Sequence, residues 1–263
     1  LSRSGIGLGL FMAISIVLAG CGGKKGQLFP EKSTAPQLYK IGKEYLKKKK
    51  YDEARKVFST LIRVYPKSKY AARAKLGIAD SYFKKGDIAS LTLAYNEYRE
   101  FISLYPYHPK AAYAQFMMGM CYFKQMHKPG RDQTNTLLAI QEFKKVVDKY
   151  PETKEAQEAR AKIERCRQNY AAHLLHIARF YFHIKKWLGA SWRLEEIVRN
   201  YPDFRGMAEV YYKYGVSLYN LGKRGEGKAY LSKVITDYPR TKWAKKARKF
   251  LEKEAKHEGR TSK

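Results

Sequence analysis

The dipeptide Tyr-Pro occurs five times in this chain, at Tyr65-Pro66, Tyr105-Pro106, Tyr150-Pro151, Tyr201-Pro202 and Tyr238-Pro239, at intervals of 40, 45, 51 and 37 residues. Self-similarity on that scale points to one supersecondary unit stacked on copies of itself. Each Tyr-Pro ends a helix, because proline donates no backbone hydrogen bond and drives its predecessor out of the helical region. Eleven residues before each tyrosine stands a small residue: Ala54, Ala94, Ala139, Ala190 and Gly227. Seven before it stands a large apolar one: Phe58, Tyr98, Phe143, Leu194 and Leu231. Three before it stand Ile62, Ile102, Val147, Val198 and Ile235, so apolar groups recur at helical spacing.

Upstream of each such helix lies a partner. In the first unit Leu38, Ile41, Gly42 and Tyr45 precede Ala54, Phe58 and Pro66, which is the tetratricopeptide pattern of about 34 residues. The small residue lets two antiparallel helices approach, and the large ones fill the groove between them. Ile177, Ala178, Tyr181, Ala190, Leu194 and Pro202 repeat the arrangement in the fourth unit, and Tyr211, Tyr214, Gly215, Leu218, Gly227, Leu231 and Pro239 in the fifth. An insertion at residues 126–134 separates Gly119 and Tyr122 from their second helix. Ser68, Thr153 and Thr241 are placed to cap the helices that follow a Tyr-Pro. Residues 153–186 contain neither proline nor glycine, which predicts one long helix or two nearly continuous ones. Residues 240–258 form a basic terminal helix that would cover the last hairpin, as solenoids require. No segment alternates as a strand does. The expected fold is all-α: tandem tetratricopeptide hairpins forming a superhelical solenoid, with hairpins 1–3 in residues 37–152, hairpins 4–5 in 153–239, and a basic capping helix and tail in 240–263.

The N-terminus reads as an address. Arg3 precedes an uncharged stretch of about 14 residues, followed by Leu18, Ala19, Gly20 and Cys21. That stretch falls short of the roughly 20 residues of a spanning helix and has the parts of a secretory signal. Leu-Ala-Gly-Cys resembles a bacterial lipoprotein signal, which would make residues 1–20 the signal peptide and Cys21 the thiol that accepts diacylglycerol. Gly22 and Gly23, rather than Asp, follow the cysteine, and this resembles an outer-membrane destination. Residues 22–36 are rich in Gly, Lys, Ser and Pro, so residues 21–36 read as a lipidated, flexible tether.

Lys and Arg total 53 against 24 acidic residues, a formal charge of +29 that exceeds what solubility calls for. An anionic partner and a solvated basic surface both fit that charge. Cys121 and Cys166 form neither a CxxC pair nor a zinc pattern; buried hydrophobes and a disulfide are the two readings. His173, His176 and His183 could share a face of the long helix, but no carboxylate or cysteine completes a metal set, so packing or exposure is the preferred role. There is no phosphate loop, GxSxG or HExxH motif. The chain is read as non-enzymatic, with no cofactor, no metal and no nucleic-acid module.

With the lipobox, the hairpins, residues 65–71 and the Arg131-Asp132-Gln133-Thr134 segment in hand, the chain resembles the BamD family, the tetratricopeptide lipoproteins of the β-barrel assembly machinery. The resemblance implies a lipid-anchored protein on the periplasmic face of the outer membrane. It implies two partners, the barrel protein BamA and unfolded outer-membrane proteins. First helices of such repeats line the concave surface, and here they would present Tyr39, Lys43, Arg73, Asp80 and Tyr113 to a client segment ending in an aromatic residue and a carboxylate. Arg193, one residue before the packed Leu194, would face BamA, with an ion pair to Glu195 or Glu196 as its alternative role. A different periplasmic repeat protein, a division coordinator resembling CpoB, is the alternative family.

Overall fold

The computed structural model describes residues 29–30 and 32–261, with side chains to His257. Cys21 and the signal segment lie outside the described residues. Among those described there are eleven helices and no strand. They are α1 (Ala35–Lys47), α2 (Tyr51–Val64), α3 (Lys69–Lys85), α4 (Ile88–Leu104), α5 (Ala111–Phe123), α6 (Thr134–Lys149), α7 (Lys154–His183), α8 (Trp187–Asn200), α9 (Met207–Asn220), α10 (Arg224–Asp237) and α11 (Lys242–Thr261). Each packs on its neighbours in sequence. The five Tyr-Pro pairs close α2, α4, α6, α8 and α10.

All five tyrosines adopt the same C-cap conformation, with φ between −127° and −135°. In each turn the tyrosine carbonyl accepts from the backbone N–H three residues on, at 3.0 to 3.1 Å. The next helix is then started by a side chain: Ser68, Thr153 and Thr241 accept from Tyr70, Ala156 and Ala244 N–H, respectively. Four of the five turns inside the hairpins use a left-handed residue instead, at Lys49, Gly86, Lys185 and Gly222. Lys185 ends the long helix, so α7 stops at His183, short of the expected 186.

Ala54, Ala94, Ala139 and Ala190 are fully buried, as are Phe58, Tyr98, Phe143, Leu194 and Leu231. The third apolar position is deepest one residue earlier than the spacing suggested: Leu61, Phe101, Val146, Ile197 and Val234 are fully buried, whereas Ile62, Ile102, Val147, Val198 and Ile235 are half-buried. The core runs along the stack as four adjoining clusters. α11 closes it, with Ala244 and Ala247 seated on Val216, Leu231 and Val234. Cys121 and Cys166 are free and buried in one cluster, and burial pushes each thiol up to about 12. They behave as small core hydrophobes.

Close approach is set by glycine. The Phe58 ring lies against the backbones of both Gly42 on α1 and Gly77 on α3; a methyl at Gly77 would sit 2.5 Å from it. Phe143 rests on Gly119 in the same way, and in the last hairpin a methyl on Gly227 would meet the Gly215 carbonyl at 2.6 Å. Truncating Phe58 to Ala should therefore cost about 3 to 5 kcal/mol. Gly77→Ala should cost about 1 to 3 kcal/mol by overpacking. In the Phe58→Ala background most of the Gly77→Ala cost should disappear, because the ring it collides with is gone. Urea unfolding of the single and double variants measures this, and strictly additive costs would contradict the wedge.

Candidate functional site

A concavity of about 840 Å³ lies on the face lined by α1, α3 and the start of α5. Helical spacing builds it. Tyr39 and Lys43 stand one turn apart on α1, while Arg73, Gly77, Asp80 and Lys84 form a stripe down α3. Tyr113 enters from α5, and His108 and Lys110 from the preceding turn. All five residues expected on the concave face, Tyr39, Lys43, Arg73, Asp80 and Tyr113, thus line one pocket.

Their roles differ. Asp80 was expected to face a client, yet its Oδ1 accepts from the Tyr98 hydroxyl at 2.6 Å and the Tyr113 hydroxyl at 2.8 Å. Oδ1 thereby ties α3 to α4 and α5 and holds Tyr113 in place. Burial, and then the Asp80 charge, push both tyrosine hydroxyls well above the ordinary range, so both remain proton donors. Tyr39 is raised by burial, partly opposed by Arg73, and its ring packs on Phe58 and Tyr70. The floor is completed by Leu46, Leu76 and Gly77.

The rim is basic. Lys40, Lys47, Lys84 and Lys110 join Lys43 and Arg73 around the opening, opposed by Glu44 and the engaged Asp80. Lys40, Lys47 and Lys84 continue the stripes of Lys43 and Asp80 at spacings of three and four, so helical spacing in the sequence already carries the basic rim. His108 could not be found that way, since only the fold carries its turn to the pocket. Its Nδ1 accepts from the Lys110 N–H at 3.0 Å. Burial, followed by the charges of Arg73 and Lys110, holds its pKa below the ordinary histidine range. An apolar floor ringed by cations is suited to an aromatic side chain beside a carboxylate.

Arg193 lies elsewhere, on α8, with its side chain 47% exposed and Nη1 at 3.4 Å from Glu196 Oε2. The expected ion pair with Glu196 is therefore present, in a long and solvated form. Neighbouring Trp192 is 64% exposed, and Phe180, Ile184 and Leu188 of the same hairpin are also exposed. The firm charge pairing of this region was missed in the sequence: Arg179 of α7 grips Glu209 of α9 with two hydrogen bonds of 2.8 and 2.7 Å. The 131–134 segment is structural. Asp132 accepts from the Thr134 N–H, and buried Gln133 accepts from Asn169 of α7 at 2.6 Å. His173 is engaged by the Pro129 carbonyl at 2.6 Å, and His176 lies against Gly130.

Residues 31–222 match the family model YfiO, described as an outer membrane lipoprotein, and residues 209–241 match a tetratricopeptide repeat model. The chain is 31% identical over 238 residues to the outer membrane protein assembly factor BamD of Rickettsia prowazekii, covering 90% of this chain and 92% of that one. To the protein of the same name from Caulobacter vibrioides it is 28% identical over 240 residues, covering 90% and 78%.

The basic rim has a measurable consequence. His108 should titrate below the ordinary value of about 6.5, and Arg73→Ala should move it part of the way back. A depressed histidine favours the fold above its unfolded pKa, and that contribution is lost as pH falls through the folded one. An imidazole NMR titration reads this, and a His108 titrating at or above the free value would contradict the described environment.

Proposed function

Because the chain belongs to the YfiO family of outer membrane lipoproteins, we propose that it acts in β-barrel assembly as a non-enzymatic scaffold that receives unfolded outer-membrane proteins and holds a BamA-like barrel protein. Its place is the outer membrane, and its family is that of the assembly factor. The client is recognised in the concave pocket of the first hairpins. One observation carries that assignment: residues from three separate helices converge on a single apolar floor ringed by six cations. A client segment that ends in an aromatic residue and a carboxylate matches it. The ring packs on Tyr39 and Tyr113, and Arg73 offers the planar fork that grips a carboxylate with two hydrogen bonds. A volume of about 840 Å³ is in the usual range for a pocket that encloses a small ligand.

The barrel protein is held by the α7–α8 hairpin. Exposed Phe180, Leu188 and Trp192 supply apolar area there, and Arg193 has only a solvated 3.4 Å contact to give up. Aromatic residues and arginine are the side chains that dominate protein interfaces when they become buried.

A photocrosslinker at Tyr39 or Arg73 should label a peptide carrying a client C-terminus and spare a scrambled peptide of the same composition. Equal labelling of the two would remove the client assignment. Arg193→Glu should leave the melting temperature unchanged while weakening the barrel-protein complex by about 2 to 5 kcal/mol. Undiminished co-purification with the folded variant would remove the second assignment and leave the first standing.

A further inference from the structure

The antiparallel hairpins place the Tyr65, Tyr105 and Tyr150 turns on one edge of the stack, and α1 begins on that same edge; the 30-residue α7 carries the Tyr201 turn to its own middle, where Arg167 and Gln168 donate to the Asn200 and Asp203 carbonyls. The chain enters the fold beside the first turn: Tyr65 donates its hydroxyl to the Ser33 carbonyl at 2.9 Å, Ser33 in turn donates to Pro30, and Phe29 packs on the first hairpin's core. Phe29 follows Cys21 by eight positions. Fully extended, that stretch spans at most about 28 Å. Whatever Cys21 is attached to therefore lies close to this edge.

The Tyr-Pro turns are not alike. In residues 63–69 and 103–110, exposed Val64, Leu104 and Tyr107 alternate with exposed Arg63, Lys67, Lys69 and Lys110, with no acidic residue in either stretch. Tyr107 is 99% exposed and Leu104 57%, although both are large and apolar. The third turn carries Asp148, Glu152 and Glu155, the fourth Asp203 and the fifth Asp237. Apolar side chains combined with unopposed cations occur only on the two turns nearest the anchor. Tyrosine favours the membrane–water interface, and lysine and arginine beside it meet anionic headgroups.

We propose that the first two Tyr-Pro turns form a second membrane contact, in which Leu104 and Tyr107 enter the interface of an anionic phospholipid surface flanked by Arg63, Lys67 and Lys69. The contact rests on lipid attachment at Cys21, which brings the edge within reach. Alone it is weak; joined to an acyl anchor it becomes intramolecular and fixes orientation rather than attachment. The pocket mouth, which shares Lys110 with this edge, is thereby held next to the bilayer.

The test uses the lipidated full-length protein in vesicles of phosphatidylethanolamine and phosphatidylglycerol. A nitroxide is placed at Tyr107→Cys and, as a control, at Ile88→Cys, which is exposed on the opposite edge. Buried Cys121 and Cys166 do not compete for the label. Flotation scores the anchor, and the oxygen-to-nickel collision ratio scores depth. The ratio at position 107 should exceed that at 88 severalfold, and Lys67→Glu/Lys69→Glu should bring the two together. Protein that floats with equally aqueous labels at both positions overturns the proposal and leaves the anchor standing. Protein that fails to float overturns both.

Discussion

The structure depends on one contact type, an aromatic or aliphatic side chain pressed against a glycine backbone. Phe58 is wedged between Gly42 of α1 and Gly77 of α3, so a single ring sets the separation of three helices. The same glycine, Gly77, also forms part of the pocket floor. Core and site are therefore two sides of one strip of backbone. Because the first helices of neighbouring hairpins are drawn together on the Phe58 ring, Tyr39 and Lys43 come to share a cavity with Arg73. Between α3 and α5 the join is made differently, by Asp80 receiving the hydroxyls of Tyr98 and Tyr113. This carboxylate with two donors is costly to disturb, since removing it would leave the buried Tyr98 hydroxyl without an acceptor.

Most of the fold was legible because its determinants are local and repeated. The proline of each Tyr-Pro pair stands just past the end of a helix, and the spacing of Ala54 and Phe58 before Tyr65 recurs in every unit, so the ends of the second helices and their main buried positions could be read directly. What escaped is non-local or degenerate. Ile62 and Leu61 are both apolar, and pattern alone did not show that Leu61 takes the deeper place. Asp80 was set on the concave face, where it lines the pocket, but its bonds to Tyr98 and Tyr113 were not legible, because nothing in the sequence pairs it with tyrosines 18 and 33 residues away. The same holds for the Arg179–Glu209 clamp across 30 residues. His108 reaches the pocket only because the turn after Tyr105 folds over it.

The surplus of positive charge now has a distribution. It is gathered around a concave pocket with few opposing acids, along the two turns nearest the N-terminus, and on α11. Charge of this kind draws anionic partners from a distance and orients them on arrival. It also leaves affinity dependent on ionic strength, because the rim residues are solvated.

The central claim is that this pocket reads a terminal carboxylate next to an aromatic ring. The most direct measurement is a double-mutant cycle by calorimetry, comparing a client C-terminal peptide with its C-terminal amide against the native protein and Arg73→Ala. Loss of the carboxylate should weaken binding to the native protein by about 1.5 to 3 kcal/mol, the range for a hydrogen bond to a charged group, and by much less once Arg73 is gone. Equal affinities of acid and amide for the native protein would contradict the account.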